Sequence, residues 1–191
     1  MDIEALGDEA LMRRVCMRDV DAFRVLYGRY EIRVFNFVFR CVGERALAED
    51  LLQETFWRMW QAAHTFDPAR GAFRSWIYRV ALNATRSEMG LKRHSREIRE
   101  GDTAGETTSR TGQGPADDPE IRFARGETAA LVAAALAGLS PAMREVVALR
   151  CMEGMKFSEI AAVTGAPAAT LKTRFHRAIA ELRRRLAPGE Q

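Results

Sequence analysis

Apolar residues recur along this chain at spacings of three and four, and no period-two alternation of useful length occurs. That is the helical period, so the pattern predicts an all-α protein. Asp8 or Gly7 opens a short first helix with Leu11 and Val15 inward. Asp21 is the expected N-cap of a longer second helix. Its inward stripe is Phe23, Leu26, Tyr27, Tyr30, Val34, Phe37, Val38 and Cys41, and Gly43 ends it. A third helix is predicted from about Arg45 to Ala63, burying Leu51 or Leu52, Thr55, Phe56, Met59 and Trp60. Pro68 and Gly71 then break the pattern into a loop. A fourth helix follows from about Ala72 past Met89, on a stripe of Phe73, Trp76, Ile77, Val80, Ala81 and Ala84.

From Glu100 to Asp118 no apolar residue is larger than alanine, and Gly, Thr, Asp and Glu dominate. Such a stretch buries too little surface to offset its ordering entropy, so it reads as a flexible linker. Helical patterning resumes from about Arg122 to Ala137. Ser140 before Pro141 is a cap followed by a first-turn proline, starting a helix to about Met152 that buries Met143, Val146, Val147 and the stem of Arg150. Gly154 stops it. The expected architecture is two small helical domains, 8–96 and 121–187, joined by a flexible linker at 97–120.

The last 35 residues carry the clearest chemical signal. Between Phe157 and Arg174 two short helices flank a tight turn, with Ala161, Gly165 and Leu171 where a helix-turn-helix needs a small residue, a left-handed turn and a buried anchor. Net charge over 191 residues is only +3, yet 168–187 holds six Lys/Arg against one acid, Glu181. That local excess is what a polyanion would meet. A plain helical hairpin with a solvated basic face remains the alternative. In the fourth helix Arg79, Asn83 and Arg86 line the side opposite the aromatic stripe, continuing into Lys92, Arg93 and Arg96; His64, Phe66, Arg70 and Arg74 precede them. Cations beside an amide and a loop aromatic suit a phosphate backbone and an unstacked base, against the alternative of a solvated face over a core. Asp50, Gln53, Glu54 and Trp57 share the outer side of the third helix. An exposed Trp beside carboxylates points to a protein partner, unless a neighbouring loop covers it.

Some classes recede. The three cysteines are far apart and form no zinc or disulfide pattern; each is expected to be a small core residue in a reducing cytoplasm. The acidic N-terminus is unlike a signal peptide, and the apolar run 129–139 is too short to span a bilayer. Neither a cofactor nor a small-molecule substrate is implied. Three scattered histidines, with no nucleophile elbow or phosphate loop, argue against an enzyme.

Four segments together resemble one family. They are 48–60 (Ala-Glu-Asp-Leu-Leu-Gln-Glu-Thr-Phe-Trp-Arg-Met-Trp), 73–83 (Phe-Arg-Ser-Trp-Ile-Tyr-Arg-Val-Ala-Leu-Asn), 139–146 (Leu-Ser-Pro-Ala-Met-Arg-Glu-Val) and 170–177 (Thr-Leu-Lys-Thr-Arg-Phe-His-Arg). In order and spacing they are similar to the extracytoplasmic-function class of bacterial sigma factors. The resemblance implies that Asp50, Gln53, Glu54 and Trp57 dock on the clamp helices of core RNA polymerase. It implies that His64, Phe66, Arg70, Arg74, Arg79, Asn83 and Arg86 capture the melted minus-ten strand of promoter DNA. Thr170, Lys172, Thr173, Arg174 and Arg177 would face the minus-thirty-five duplex, and an anti-sigma protein would mask the polymerase surface. The sequence departs from the family at Ala168-Ala169, where Glu-Gly often precedes the threonine. The rival reading is a one-component helix-turn-helix regulator that binds duplex DNA without polymerase. In it, the first unit would form a ligand pocket or a dimer interface.

Overall fold

A computed structural model describes residues 2–99 and 131–187. Helix α1 (Asp8–Cys16) has Gly7 as N-cap and buries Leu11, Met12 and Val15. Helix α2 (Val20–Val42) is capped by Asp19, whose carboxylate accepts from the backbone N–H of Asp21 and Ala22. The expected cap was Asp21, two residues on; Asp19 wins because its side chain reaches both orphan donors while Asp21 already lies in the first turn. Gly43 closes α2 with φ +77, a left-handed turn open to glycine without strain. Helix α3 (Arg45–Gln61) buries Ala48, Leu51, Thr55, Phe56 and Met59. Two single 3₁₀ turns (Ala63–Thr65 and Pro68–Arg70) carry the chain into α4 (Phe73–Arg99). Helix α4 therefore runs into the first three residues expected to be linker. The rest of that linker, and the start of the helix expected from Arg122, lie outside the described residues.

The second unit begins with α5 (131–137). Helix α6 (Pro141–Val147) starts at Ser140 with Pro141 in the first turn, and Ala148–Met152 continues it as one π turn. Helices α7 (Phe157–Thr164) and α8 (Ala168–Leu186) meet at Gly165, φ +75, which confirms the helix-turn-helix geometry. A small cluster of Leu136, Leu139, Val147 and Ala178 holds α5, α6 and α8 together. Arg144 reinforces it by donating to the carbonyls of Leu136, Ala137 and Leu139, the open end of α5.

The two units are not separate bodies. Val146, Ala148, Leu149, Met155, Ile160, Val163 and Leu171 join the core of the first unit in one continuous apolar cluster. Helix α7 lies along α4, and the π turn packs on α2. For this reason α4 is apolar on more of its circumference than the stripe predicted. Tyr78 and Leu82, outside that stripe, are fully buried. The Tyr78 ring stands edge-on to Phe37 at 5.3 Å. Burial, and then the Glu153 carboxylate that its hydroxyl faces, hold this phenol well above its ordinary pKa. Arg144 bridges the units directly, donating to the Cys41 carbonyl at the end of α2 at 2.6 Å.

Candidate nucleic-acid and protein-binding interfaces

Helix α8 is held from below and free above. Leu171 and Ala178 are fully buried on the inner side of α8. Thr170, Lys172, Thr173 and Arg177 are exposed, and Arg174 is half-buried. The Thr173 hydroxyl donates back to the Ala169 carbonyl at 3.2 Å. Further along, Glu181 engages Arg184 and Arg185, and these cations, acting by hydrogen bonding, hold its carboxyl below the usual range. The basic surface that remains is concentrated in the first half of the helix, around Lys172, Arg174 and Arg177.

The second cationic surface surrounds the start of α4. Arg79 and Asn83 are exposed, as are His64 and Arg70 in the preceding loop. Phe66 is not the exposed aromatic expected of that loop. It is 8% exposed, with its ring edge-on to Phe73 at 6.0 Å and Trp76 at 5.7 Å. Two 3₁₀ turns fold the loop back so that burying this ring is worth more than leaving it in water. A cleft of about 320 Å³ lies beside it, between Asp67, Arg70 and Arg79 on one side and Ser158, Glu159 and Ala162 of α7 on the other. Helix α7 thus roofs the loop. Arg86 makes a bidentate pair with Glu145 of α6, at 2.7 and 3.1 Å. Arg74 is half-buried and lies 3.7 Å from Glu153. The side chains of Lys92, Arg93 and Arg96 lie outside the described residues.

The third surface is on α3. Trp57 is 58% exposed, so no loop among the described residues covers it. It borders an open groove of about 700 Å³ with Val20, Phe23, Tyr27, Trp60, Asp50, Gln53 and Glu54. The groove floor is an aromatic cluster, with Phe23 edge-on to Trp60 at 5.3 Å and Tyr27 tilted against Phe56 at 4.6 Å. Its wall is acidic, with Glu54 steadied by Arg58 at 2.6 Å. An apolar floor with a carboxylate rim fits a partner helix carrying both aliphatic and basic side chains.

Sequence reasoning missed Arg33, which pairs with Glu153 at 2.8 Å across the two units. It sits on the solvent side of an apolar helix, and only the fold brings a carboxylate to it. The cysteines divide: Cys41 is buried, with burial pushing its thiol up to about 12, while Cys16 and Cys151 are exposed. The exposed pair departs from expectation because each stands at a helix end. The Cys16 thiol donates to the Ala63 carbonyl. Among the described residues no helix is long and apolar enough to cross a membrane.

Known proteins match both halves of the chain in order. The family "Sigma-70 region 2" matches residues 26–96, and "Sigma-70, region 4" matches 129–182. The RNA polymerase sigma factor CarQ of Myxococcus xanthus is 34% identical over 171 residues, covering 89% of this chain and 92% of that protein. The ECF RNA polymerase sigma-E factor of Haemophilus influenzae is 27% identical, with 97% and 98% covered. Among solved structures, CnrH in complex with the cytosolic domain of CnrY superposes with a TM-score of 0.66 at 27% identity, over 92% of this chain and 94% of that one. RpoE bound to the anti-sigma factor NepR from Bartonella quintana gives 0.68 at 23% identity, over 86% and 96%, a likeness of fold alone.

Proposed function

Because this chain belongs to the extracytoplasmic-function sigma factors of the sigma-70 family, we propose that its three surfaces divide the work of promoter opening among them. The protein is an alternative sigma factor that binds core RNA polymerase and directs it to specific promoters. The observation that carries this is the presence of regions 2 and 4 in order on one chain, alongside relatives matched over nearly their full length.

The groove around Trp57 is the docking surface for polymerase. Its aromatic floor supplies burial, and Asp50, Gln53 and Glu54 supply register. Helix α8 reads the minus-thirty-five duplex through Thr170, Lys172, Thr173, Arg174 and Arg177. The surface of His64, Arg70, Arg74, Arg79, Asn83 and Arg86 takes the melted minus-ten strand, with Phe66 supporting the loop from beneath. Duplex and single-strand contacts that are individually weak reinforce each other once both sit on one polymerase, because the second contact forms at high effective concentration. The protein does this without catalysis of its own, in the cytoplasm where polymerase works. CnrH, 27% identical to this chain, is solved with the cytosolic domain of CnrY, which supports a protein partner that masks the polymerase surface here as well.

Purified protein is tested with core polymerase on promoter templates drawn from a sequence library. Specific transcripts that require this chain support the assignment. Duplex binding without any polymerase-dependent initiation would favour a one-component regulator instead.

A further inference from the structure

Among the described residues, every ion pair that crosses between the two units takes its cation from the first and its acid from the second. Glu153 sits between Arg33 at 2.8 Å and Arg74 at 3.7 Å, with its side chain 6% exposed. Glu145 receives two guanidinium nitrogens of Arg86 and is nearly as buried. Arg74 and Arg86 belong to the surface assigned above to melted DNA. Arg33 stands beside them through a shared carboxylate. Two carboxylates therefore occupy guanidinium groups that are shaped to hold phosphates.

We propose that Glu145 and Glu153 are built-in substitutes for DNA phosphates, so that the closed arrangement and a single strand compete for Arg33, Arg74 and Arg86. This deepens the sigma-factor reading and rests on its assignment of the α4 surface to single-stranded DNA. It adds Arg33 to that surface and gives the packing of the two units a regulatory consequence.

Three features make the contact a latch more than a lock. Buried ion pairs roughly break even against the hydration of their separated members, so parting them into water costs little. The closed form also leaves Arg74 poorly served: its Nε and Nη2 are buried and find no hydrogen-bond partner among the described residues. A phosphate brings more acceptor oxygens than the one carboxylate that Arg33 and Arg74 share. Finally, the roof that α7 forms over Asp67, Arg70 and Arg79 narrows access to the same surface.

The test uses the full chain carrying a donor dye on α3 and an acceptor on α8, with a fluorescent mixed-sequence single-stranded oligonucleotide as probe. In the parent, saturating oligonucleotide should lengthen the dye separation. Saturation with no change in separation overturns the proposal, and this arm needs no charge variant to fold. The double variant E145Q/E153Q, checked for a parental helical spectrum, should already be extended and should bind the oligonucleotide about a hundredfold more tightly, as expected if the parent is open roughly one-hundredth of the time. Unchanged affinity overturns the proposal. In that background Arg33→Ala should flatten the dependence of log affinity on log salt by about 0.7, the signature of one lost phosphate contact, whereas a merely structural Arg33 would leave the slope alone. Failure here is separable from failure of the sigma reading. A parent that supports polymerase-dependent transcription while E145Q/E153Q binds DNA no better sinks only the latch. A parent that never supports transcription sinks the sigma reading, whatever the DNA affinities.

Discussion

Leu149→Ala should destabilise the first unit although the substitution lies in the second. Leu149 is fully buried on the π turn, within the apolar cluster that α2 and α4 also build. Removing its side chain beyond Cβ forfeits about 2.4 kcal/mol of transfer energy at ~0.8 per methylene-sized group, and the cavity left behind raises the cost to about 3 kcal/mol. With a guanidinium slope of about 4 kcal/mol/M, that moves the unfolding midpoint down by about 0.75 M. The placement of the tryptophans makes the assay discriminating. Trp57, Trp60 and Trp76 all lie in the first unit, and the chain has no others. Tryptophan fluorescence therefore follows the first unit, while far-ultraviolet dichroism follows helices in both. If the shared core unfolds as one, both midpoints fall together by the same amount. Loss of helicity at lower denaturant with the fluorescence midpoint unmoved would refute the shared core, and with it the covered state of the α4 surface.

Trp57→Ala should abolish capture by core polymerase and leave thermal unfolding nearly unchanged, within about 0.5 kcal/mol, because more than half of the side chain is already in water. A parallel loss of stability, seen by calorimetry, would mean that Trp57 supports the fold instead. Lys172→Ala or Arg174→Ala should cost about 1–3 kcal/mol of duplex affinity and relax preference at one base position; an equal loss on all sequences would identify a phosphate contact. Asp19 should govern part of the acid sensitivity. Its carboxyl is held below the ordinary value of 3.8, first by the Ala22 N–H and then by Arg14, so the unfolded chain binds its proton more readily. The stability it contributes is complete above the ordinary carboxylate range and is lost as pH falls through the depressed value. Asp19→Asn, which keeps a capping oxygen, should remove that loss; an unchanged midpoint-against-pH profile below about pH 4 would contradict it.

Much of this protein was legible residue by residue. Gly43, Gly154 and Gly165 were recognised as helix ends, and each has a positive φ. Ser140-Pro141 marked a helix start, and Leu171 an anchor. The exposed side of α3 and the exposed cations of α8 followed from period alone. Besides the cap at Asp19 and the two exposed cysteines, what escaped was a matter of packing. Phe66 was placed facing outward, because nothing local reveals that Phe73 and Trp76 wait above the loop. Tyr78 was left out of the α4 core, because the groups that face it, the Phe37 ring and the Glu153 carboxylate, stand on helices distant in sequence. Arg33 drew no notice for the same reason, since Glu153 is 120 positions distant.

Helix positions, caps and inward faces depend on neighbours three or four residues apart, and such preferences are written into the order of side chains itself. Which helix then meets which is a different matter, because an apolar flank records only that it must be covered and not by what. The order of residues therefore determined eight helices, two recognisable regions and their chemical faces. Only the tertiary structure decided that α7 covers the loop before α4, and that Arg74 and Arg86 are already paired with carboxylates from the other half.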